Sequence, residues 1–395
     1  MGFATTQFQE NTMTSPSLIT TPFGATSTAD DVLGGVDLTG TRAVVTGASS
    51  GLGRETARAL ASVGAEVTMA VRNIAAGNEV AAEIARSTGR ARPRVEHLDL
   101  ADPSSVAAFV KEWTGPLDLL INNAGLVTGG LERTPEGWEL QFATNHLGHF
   151  ALATGLRPAL AAAAASARGG ARIVALSSTA HMRANIDFDD IHFDRRAYDP
   201  QIAYAQAKTA NALFAVEASR LWEADGIVAN AVNPGGIATG LQRNFTAQQK
   251  QSLEAAEAAG LFTYKTIAQG AATTMVAAVS PEFAHVGARY LDDGREAYTV
   301  PNDATLSDNP PRRQGMGARP GGGRTALARQ PRNARRLRPR SIRPGAPQTK
   351  TTDFRGGCRC ETRFATHNAT IPVVSVDGGG PQLRSRRAVR PEGSR

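Results

Sequence analysis

The sequence predicts a doubly wound α/β domain, a parallel sheet with helices on both faces. Three observations carry this. Between residues 37 and 300, short β-rich runs alternate with longer Ala-rich stretches of helical spacing. Several runs are continuously apolar, as strands covered on both faces require. The first run feeds a glycine-rich turn that opens directly into a helical pattern. Alternation of this kind builds a parallel sheet rather than a string of hairpins.

The β-rich runs are, in order, Arg42–Thr46, Glu66–Val71, Arg94–Leu98, Leu117–Ile121, Arg172–Leu176, Ile227–Val232 and Ala288–Leu291. No internal repeat is evident, so residues 37–306 are read as one domain. The flanks differ. Residues 1–36 are rich in Thr and Ser without sustained periodicity, and a disordered lead-in is expected. Residues 307–395 form a basic tail rich in Arg, Gly and Pro. Across 311–395, Gly and Pro number 21 of 85 residues, and Ile, Leu, Val and Phe only 11. That is too little apolar surface to offset chain entropy, so a disordered tail is expected too. The composition changes abruptly near Asn309, and a reading-frame change in a GC-rich gene would leave the same signature.

Charge and cysteine content narrow the function. The net charge of +7 is unevenly spread: residues 311–395 carry 20 basic and 4 acidic side chains, residues 1–310 carry 23 and 32. An acidic body repels a phosphate backbone, so nucleic acid is excluded as the main partner and is left only a weak hold on the tail. Both cysteines, Cys358 and Cys360, lie in the tail. The body therefore has no disulfide framework, no Cys-ligated zinc and no thiol chemistry. No apolar run approaches the ~18 residues of a membrane span. The first basic residue is Arg42, so the charged region of a signal or transit peptide is missing and a cytoplasmic location is expected.

The glycine-rich turn carries the first functional signal. Ala43-Val44-Val45 runs into Thr46-Gly47-Ala48-Ser49-Ser50-Gly51-Leu52-Gly53, and helical spacing follows through Ala57, Leu60, Ala61 and Val63. Glycine lets the backbone bend tightly and approach a pyrophosphate, and the helix N-terminus offers free amides and a positive dipole end. The second strand ends Val71-Arg72-Asn73. An NAD site usually places a carboxylate there for the ribose 2′-hydroxyl. Val71 stands in its place, and the Arg72 guanidinium can pair with a 2′-phosphate, which favours NADP(H) over NAD(H). Arg54 is a second nearby cation that reads equally well as surface charge.

The second signal is Tyr204-Ala205-Gln206-Ala207-Lys208 within a helical pattern. Residues four apart share a helix face, so phenol and ammonium are neighbours. A positive charge beside a phenol favours phenolate, and bringing its pKa from ~10 to ~7 would take roughly 4 kcal/mol. Such a tyrosine can give a proton to a carbonyl oxygen or take one from an alcohol. It follows the buried strand Arg172–Leu176 and the pair Ser177-Ser178, either of which could offer a hydroxyl to developing charge.

These motifs resemble the short-chain dehydrogenase/reductase family. The spacing Gly47-x-x-x-Gly51-x-Gly53, the serine pair and Tyr204-x-x-x-Lys208 carry the resemblance, over about residues 38–300. It implies that Ser178 holds the substrate oxygen, with Ser177 as the alternative, that Tyr204 is the acid/base, and that Lys208 binds the nicotinamide ribose. It implies that Asn145 holds a proton-relay water on a helix whose start is read at Thr134-Pro135. Cofactor contacts are implied for Gly47, Ser49, Ser50, Gly51, Leu52, Gly53, Arg72, Asp99, Leu100, Asn123, Ala124, Gly125, Tyr204, Lys208, Pro234, Gly235 and Thr239. On their own residues, Asp99 reads as a turn or cap, Asn122–Gly125 as a turn, and Pro234-Gly235 as a strand-to-loop turn. Asn145-His146-Leu147-Gly148-His149-Phe150, the Val71-Arg72-Asn73 end and the 26-position step from Ser178 to Tyr204 narrow the resemblance to retinol dehydrogenases, WW-domain oxidoreductases and similar bacterial enzymes.

The expectation is an NADP(H)-dependent oxidoreductase acting on an apolar carbonyl or alcohol, without a metal. His146 and His149 lack a third ligand of matching logic and read as packed or hydrogen-bonded. The acidic and His-containing stretch between Ser178 and Tyr204 reads as a surface excursion beside the cleft. Leu241, Phe245, Leu253, Leu261, Phe262 and Tyr264 suggest an apolar cover over the pocket. The rival readings are an idle NADP-binding sensor or scaffold and a polyanion binder working through its tail.

Overall fold

The computed structural model describes residues 18–166, 170–238, 240, 247–258 and 263–298, and two short strands, Thr352–Asp353 and Arg359–Cys360. Within the main unit, β1 (Arg42–Thr46), β2 (Glu66–Val71), β3 (Arg94–His97), β4 (Leu119–Asn122), β5 (Ala171–Leu176), β6 (Ile227–Asn233) and β7 (Tyr290–Asp292) form a parallel sheet. Its order is β3-β2-β1-β4-β5-β6-β7, and β8 (Arg295–Glu296) turns back antiparallel at the edge. The doubly wound, Rossmann-type fold read from the alternation is the fold observed. The two distal strands pair antiparallel in a separate unit, Arg332–Arg395. The rest of the basic tail lies outside the described residues.

Successive strand residues point to opposite faces, and the two cores follow. Val45, Met69, Ile121, Val174 and Val232 face α1 (Ala29–Leu33), α2 (Gly51–Ser62), α3 (Ile74–Thr88) and α9 (Ile267–Val279). Val44, Ala70, Leu120, Ile173 and Ala229 face α4 (Pro103–Glu112), α6 (Gly148–Ala164) and α7 (Pro200–Trp222). Both faces are covered over the central strands, which is why these are largely apolar, whereas the edge strand β3 exposes Arg94, Glu96 and His97. Strand order reverses between β1 and β4, so a crevice opens at their carboxyl ends, where ligands bind in such sheets.

Two local expectations are corrected. Residues 18–36, expected to be unstructured, pack on the domain. Ile19 and Glu296 exchange hydrogen bonds, the Thr21 hydroxyl donates to the Gly294 carbonyl at 2.5 Å, and α1 buries Ala29, Val32 and Leu33. A capping box of Thr28 and Asp31 starts that helix, and Arg58 of α2 pairs with Asp30 at 2.7 Å. Second, no helix starts at Thr134-Pro135. Gly137 (φ 87°) closes a tight turn in which its amide donates to the Thr134 carbonyl. The helix begins instead at α5 (Leu140–Phe142), capped by the Glu139 carboxylate through the amides of Gln141 and Phe142. It passes through a π-turn, Ala143–Leu147, into α6.

Candidate active site

At the carboxyl end of β1 the chain turns into α2. Gly47 (φ 66°) and Gly51 (φ 54°) adopt left-handed backbone, which side chains disfavour. A Cβ on Gly53 would lie 2.5 Å from the Gly47 carbonyl oxygen and against Asn123 Nδ2. Ser50 precedes α2 in extended backbone and makes no side-chain capping bond. The first amides of α2 are thus left to another acceptor, at the positive end of the helix. Leu52 turns its side chain toward Ile237 and Gly270, leaving backbone to line the turn. A glycine cradle with uncapped amides at the switch point fits a dinucleotide pyrophosphate.

The walls of the crevice come from neighbouring strands. Thr46 ties the ends of β1 and β4 together: its hydroxyl accepts from the amides of Asn123 and Ala124, both at 2.9 Å, and Asn123 Nδ2 donates to its carbonyl at 2.7 Å. Arg72 is exposed just past β2, and its guanidinium has no ion pair among the described residues. Arg54, the other nearby cation, is tied to Glu83. Asp99 makes a turn in which its carboxylate accepts from the Ala101 amide at 2.9 Å, while Asp102 caps α4. Leu100 packs under Gly148, where a Cβ would sit 2.7 Å from the Leu100 Cβ. Past β6, Gly235 (φ 88°) lies under the Lys265 side chain, whose ammonium pairs with Asp293 at 2.7 Å. Pro234 precedes it at the same edge. Thr239 lies outside the described residues, as do Leu241, Phe245, Leu261 and Phe262.

β5 delivers the two serines to this edge. Ser177 is buried and donates to the Lys208 carbonyl at 2.8 Å. Ser178 is half-buried, lies close enough to the Tyr204 phenol to lower its pKa, and accepts from the Ala180 amide at 3.2 Å. The second serine therefore faces the phenol. Asp199 caps α7 and Pro200 is its first residue. That start puts Tyr204 and Lys208 on one face, with Lys208 Nζ 5.5 Å from the Tyr204 ring centroid. Lys208 is 4% exposed and donates to the Leu176 carbonyl at 2.9 Å.

Burial pulls the Lys208 ammonium down to about 8. Burial also pushes the Tyr204 phenol up to about 12, against the Ser178 hydrogen bond and the Arg183 charge. Desolvation thus opposes the lowering that a neighbouring cation brings, and the ammonium is turned to the Leu176 carbonyl.

Asn145 sits in the π-turn and is fully buried. Its Oδ1 accepts from the Leu126 amide at 2.8 Å and its Nδ2 donates to the Leu126 carbonyl at 3.0 Å. Its own carbonyl accepts from His149 Nδ1 and Asn211 Nδ2, both at 3.0 Å. Through these bonds the residue ties the loop after β4 to the helices. It still lies beside the lysine: a Cβ on Gly125 would be 3.4 Å from Asn145 Oδ1 and 3.7 Å from Lys208 Nζ.

Neither histidine is aimed at a metal. His146 bonds Asn211 Oδ1 at 3.1 Å and His149 bonds Thr46 at 2.8 Å. Among the described residues no group of three or more His, Cys, Asp or Glu is placed to hold one. Nor is any helix among them long and apolar enough to cross a membrane. Sequence reasoning passed over Thr46 and Asn211. Thr46 adjoins the first turn glycine, and Asn211 follows Lys208 by less than one helical turn, but neither type in isolation signals a role.

The profile of the short chain dehydrogenases matches residues 41–250. The chain belongs to the short-chain dehydrogenase family. It is 50% identical over 270 residues to a probable oxidoreductase of Streptomyces antibioticus, covering 67% of this chain and 89% of that one. It is 35% identical over 267 residues to human retinol dehydrogenase 13, covering 66% and 79%. Among solved structures, the Pseudomonas aeruginosa RhlG active-site complex with NADP superposes with a TM-score of 0.53 at 25% identity, covering 65% of this chain and 96% of that one. This short-chain dehydrogenase is an oxidoreductase with retinol dehydrogenase-like relatives, and NAD(P) is the cofactor class its fold serves.

Proposed function

We propose that the enzyme moves hydride between NADP(H) and the carbon of an apolar carbonyl or alcohol, with Tyr204 as general acid/base. The observation that supports this is the Tyr204 phenol set beside Ser178, with Lys208 on the same helix face and the glycine cradle at the same sheet edge. A protein that only bound the dinucleotide would need none of these three side chains. When bound, the nicotinamide supplies the hydride. The chain's part is to orient and to move a proton. Ser178 donates to the substrate oxygen, Tyr204 exchanges the proton at that oxygen, and Lys208 presents its ammonium toward the ribose. Asn145 holds the loop after β4 in place.

In this reading Gly47, Ser49, Ser50, Gly51, Leu52 and Gly53 cradle the pyrophosphate. Asp99 and Leu100 frame the adenine, Asn123, Ala124 and Gly125 form the wall, and Pro234, Gly235 and Thr239 hold the nicotinamide end. Arg72 supports NADP(H), because Val71 stands where a carboxylate would hold the 2′-hydroxyl, and beside it is an exposed guanidinium without an ion pair among the described residues. The name of the retinol dehydrogenase relative supports an apolar, primary-alcohol substrate class. A cytoplasmic location belongs to the same proposal and is checked by cell fractionation. The deciding experiment is a panel of apolar and polar aldehydes, ketones and alcohols, all-trans-retinal among them, followed by nicotinamide absorbance with each cofactor. NADPH-dependent reduction of apolar members is the expected outcome. Turnover confined to NADH, or to polar sugars, would overturn the reading.

A further inference from the structure

His149 is the feature the mechanism does not use. It lies one helical turn after Asn145, is 2% exposed, and spans two parts of the site. Its Nδ1 is 3.0 Å from the Asn145 carbonyl and its Nε2 is 2.8 Å from Thr46 Oγ1. Hydrogen-bond bookkeeping fixes every proton on this path. A carbonyl only accepts, so Nδ1 carries the hydrogen and Nε2 carries the lone pair. The Thr46 hydroxyl must then donate to Nε2; the Ile121 carbonyl, at 3.4 Å, is the poorer alternative. The two lone pairs of Thr46 Oγ1 are already taken by the amides of Asn123 and Ala124.

The path continues beyond Asn145. Asn211 Nδ2 donates both to the Asn145 carbonyl and to the Leu176 carbonyl, each at 3.0 Å. The Leu176 carbonyl is also the acceptor for Lys208 Nζ. Asn211 Oδ1 is held in turn by His146 Nδ1. One buried chain of bonds therefore runs from the amides of the cofactor wall through Thr46, His149, Asn145 and Asn211 to the carbonyl that orients the lysine. Asn145 sits within the π-turn Ala143–Leu147, at the centre of this chain.

We propose that His149 is a positioning residue: a neutral imidazole, fixed as its Nδ1–H tautomer, that sets the Thr46–Asn123–Ala124 cofactor wall in register with Asn145 and Lys208. Its two ends do different work. The Nε2 end holds the wall, and the Nδ1 end holds the Asn145 carbonyl, which Asn211 links to the Leu176 carbonyl that accepts from the lysine. Protonation would break the strut, since Nε2 would become a donor facing a threonine with no lone pair to spare. Burial and the nearby Lys208 and His146 charges hold the imidazole neutral, at about 3.

The inference rests on the proposed oxidoreductase reading for its kinetic arm, so the test has a second arm that needs no turnover. In full-length protein with ¹⁵N-labelled histidine, NMR of the imidazole nitrogens should show His149 as the neutral Nδ1–H tautomer throughout pH 5 to 8. An Nε2–H tautomer, or titration within that range, overturns the proposal whatever the enzyme's substrate. The second arm separates the two ends. In His149→Asn the amide can still donate to the Asn145 carbonyl but cannot reach Thr46. In His149→Gln the side chain can reach Thr46 but leaves that carbonyl. Loss of a buried hydrogen bond with its partner left unpaired is on the order of tenfold or more. The expected split is a roughly tenfold weaker NADPH dissociation constant, read by fluorescence titration, as the larger loss in His149→Asn. In His149→Gln the larger loss should fall on kcat with all-trans-retinal. His149→Phe should lose both while keeping its circular dichroism. Equal losses in the Asn and Gln variants, or loss only of melting temperature, would show a packing role and overturn the proposal. If the unmutated enzyme leaves retinal untouched, the NMR and NADPH titrations still decide the strut.

Discussion

Gly53→Ala tests the cradle most directly. A Cβ there would stand 2.5 Å from the Gly47 carbonyl oxygen and 2.9 Å from its carbon, where contacts under 3.0 Å are essentially never seen. The turn and helix must therefore part by about half an ångström, and the atoms that must move include the Gly47 backbone as well as the Asn123 amide, which is itself held by the Thr46 carbonyl. Overpacking of this kind costs about 1–3 kcal/mol. The strain falls on the segment that presents amides to the pyrophosphate. If it appears wholly in affinity, NADPH binding weakens by roughly 5–150-fold, at about 1.4 kcal/mol per factor of ten. The assay is fluorescence titration of NADPH, with melting curves of the same samples. Gly24→Ala is the control, since nothing lies within 4 Å of its Cβ position. If Gly53→Ala binds NADPH within twofold of the unmutated protein and melts at the same temperature, the turn is not the pyrophosphate site and the cradle argument fails.

Tyr204→Phe should keep NADPH affinity and lower turnover by ~10²–10⁴-fold, the scale of lost general acid–base catalysis; near-normal turnover on an accepted substrate counts against the assignment. Arg72→Ala should weaken NADPH by roughly tenfold or more, as expected for a lost charge-assisted bond, and leave NADH little changed; equal weakening of both removes Arg72 as the phosphate ligand. A chain starting at residue 37 loses Ile19, Val32 and Leu33 from the packed surface, and its melting temperature should drop by roughly 5–15 °C; an unchanged melt means the arm is merely laid on. With the phenol at about 12, carbonyl reduction should show no rise in kcat with pH from 6 to 9, while alcohol oxidation should climb throughout; a plateau in oxidation near pH 7 would show a phenol pKa far below the one the burial implies.

What could be read from the sequence was whatever is local. The glycine spacing at 47, 51 and 53 fixes a turn within seven residues, and Tyr204 with Lys208 is an i,i+4 pair on any helix. What could not be read depends on distant partners. Whether Ser177 or Ser178 faces the phenol is decided by how β5 packs against α7, where Ser177 meets the Lys208 carbonyl. The ordered arm escaped notice because Ile19 finds Glu296, 277 positions along the chain, and Thr- and Ser-rich composition gives no hint of such pairing. Pro135 looked like a helix start because the rule is local. Two residues later Gly137 turns the chain left-handed, and the carboxylate of Glu139 supplies the true cap. The histidines were placed correctly as hydrogen-bonded residues, but their partners lie on β1 and α7, so the network they form could not be drawn from spacing.

The phenol's high pKa bears on direction. A tyrosine raised to about 12 is protonated at neutral pH, the form that the proposed reduction needs at the carbonyl oxygen as hydride arrives. Oxidation of an alcohol asks for the opposite species, a phenolate, which burial of the phenol disfavours. Lys208 is poorly placed to supply that alone, because burial lowers its own pKa and its ammonium is committed to the Leu176 carbonyl. The side chains of this chain therefore favour proton delivery over proton removal. That bias would be built by desolvation, through the same packing of α7 on β5 that brings Ser178, Tyr204 and Lys208 together.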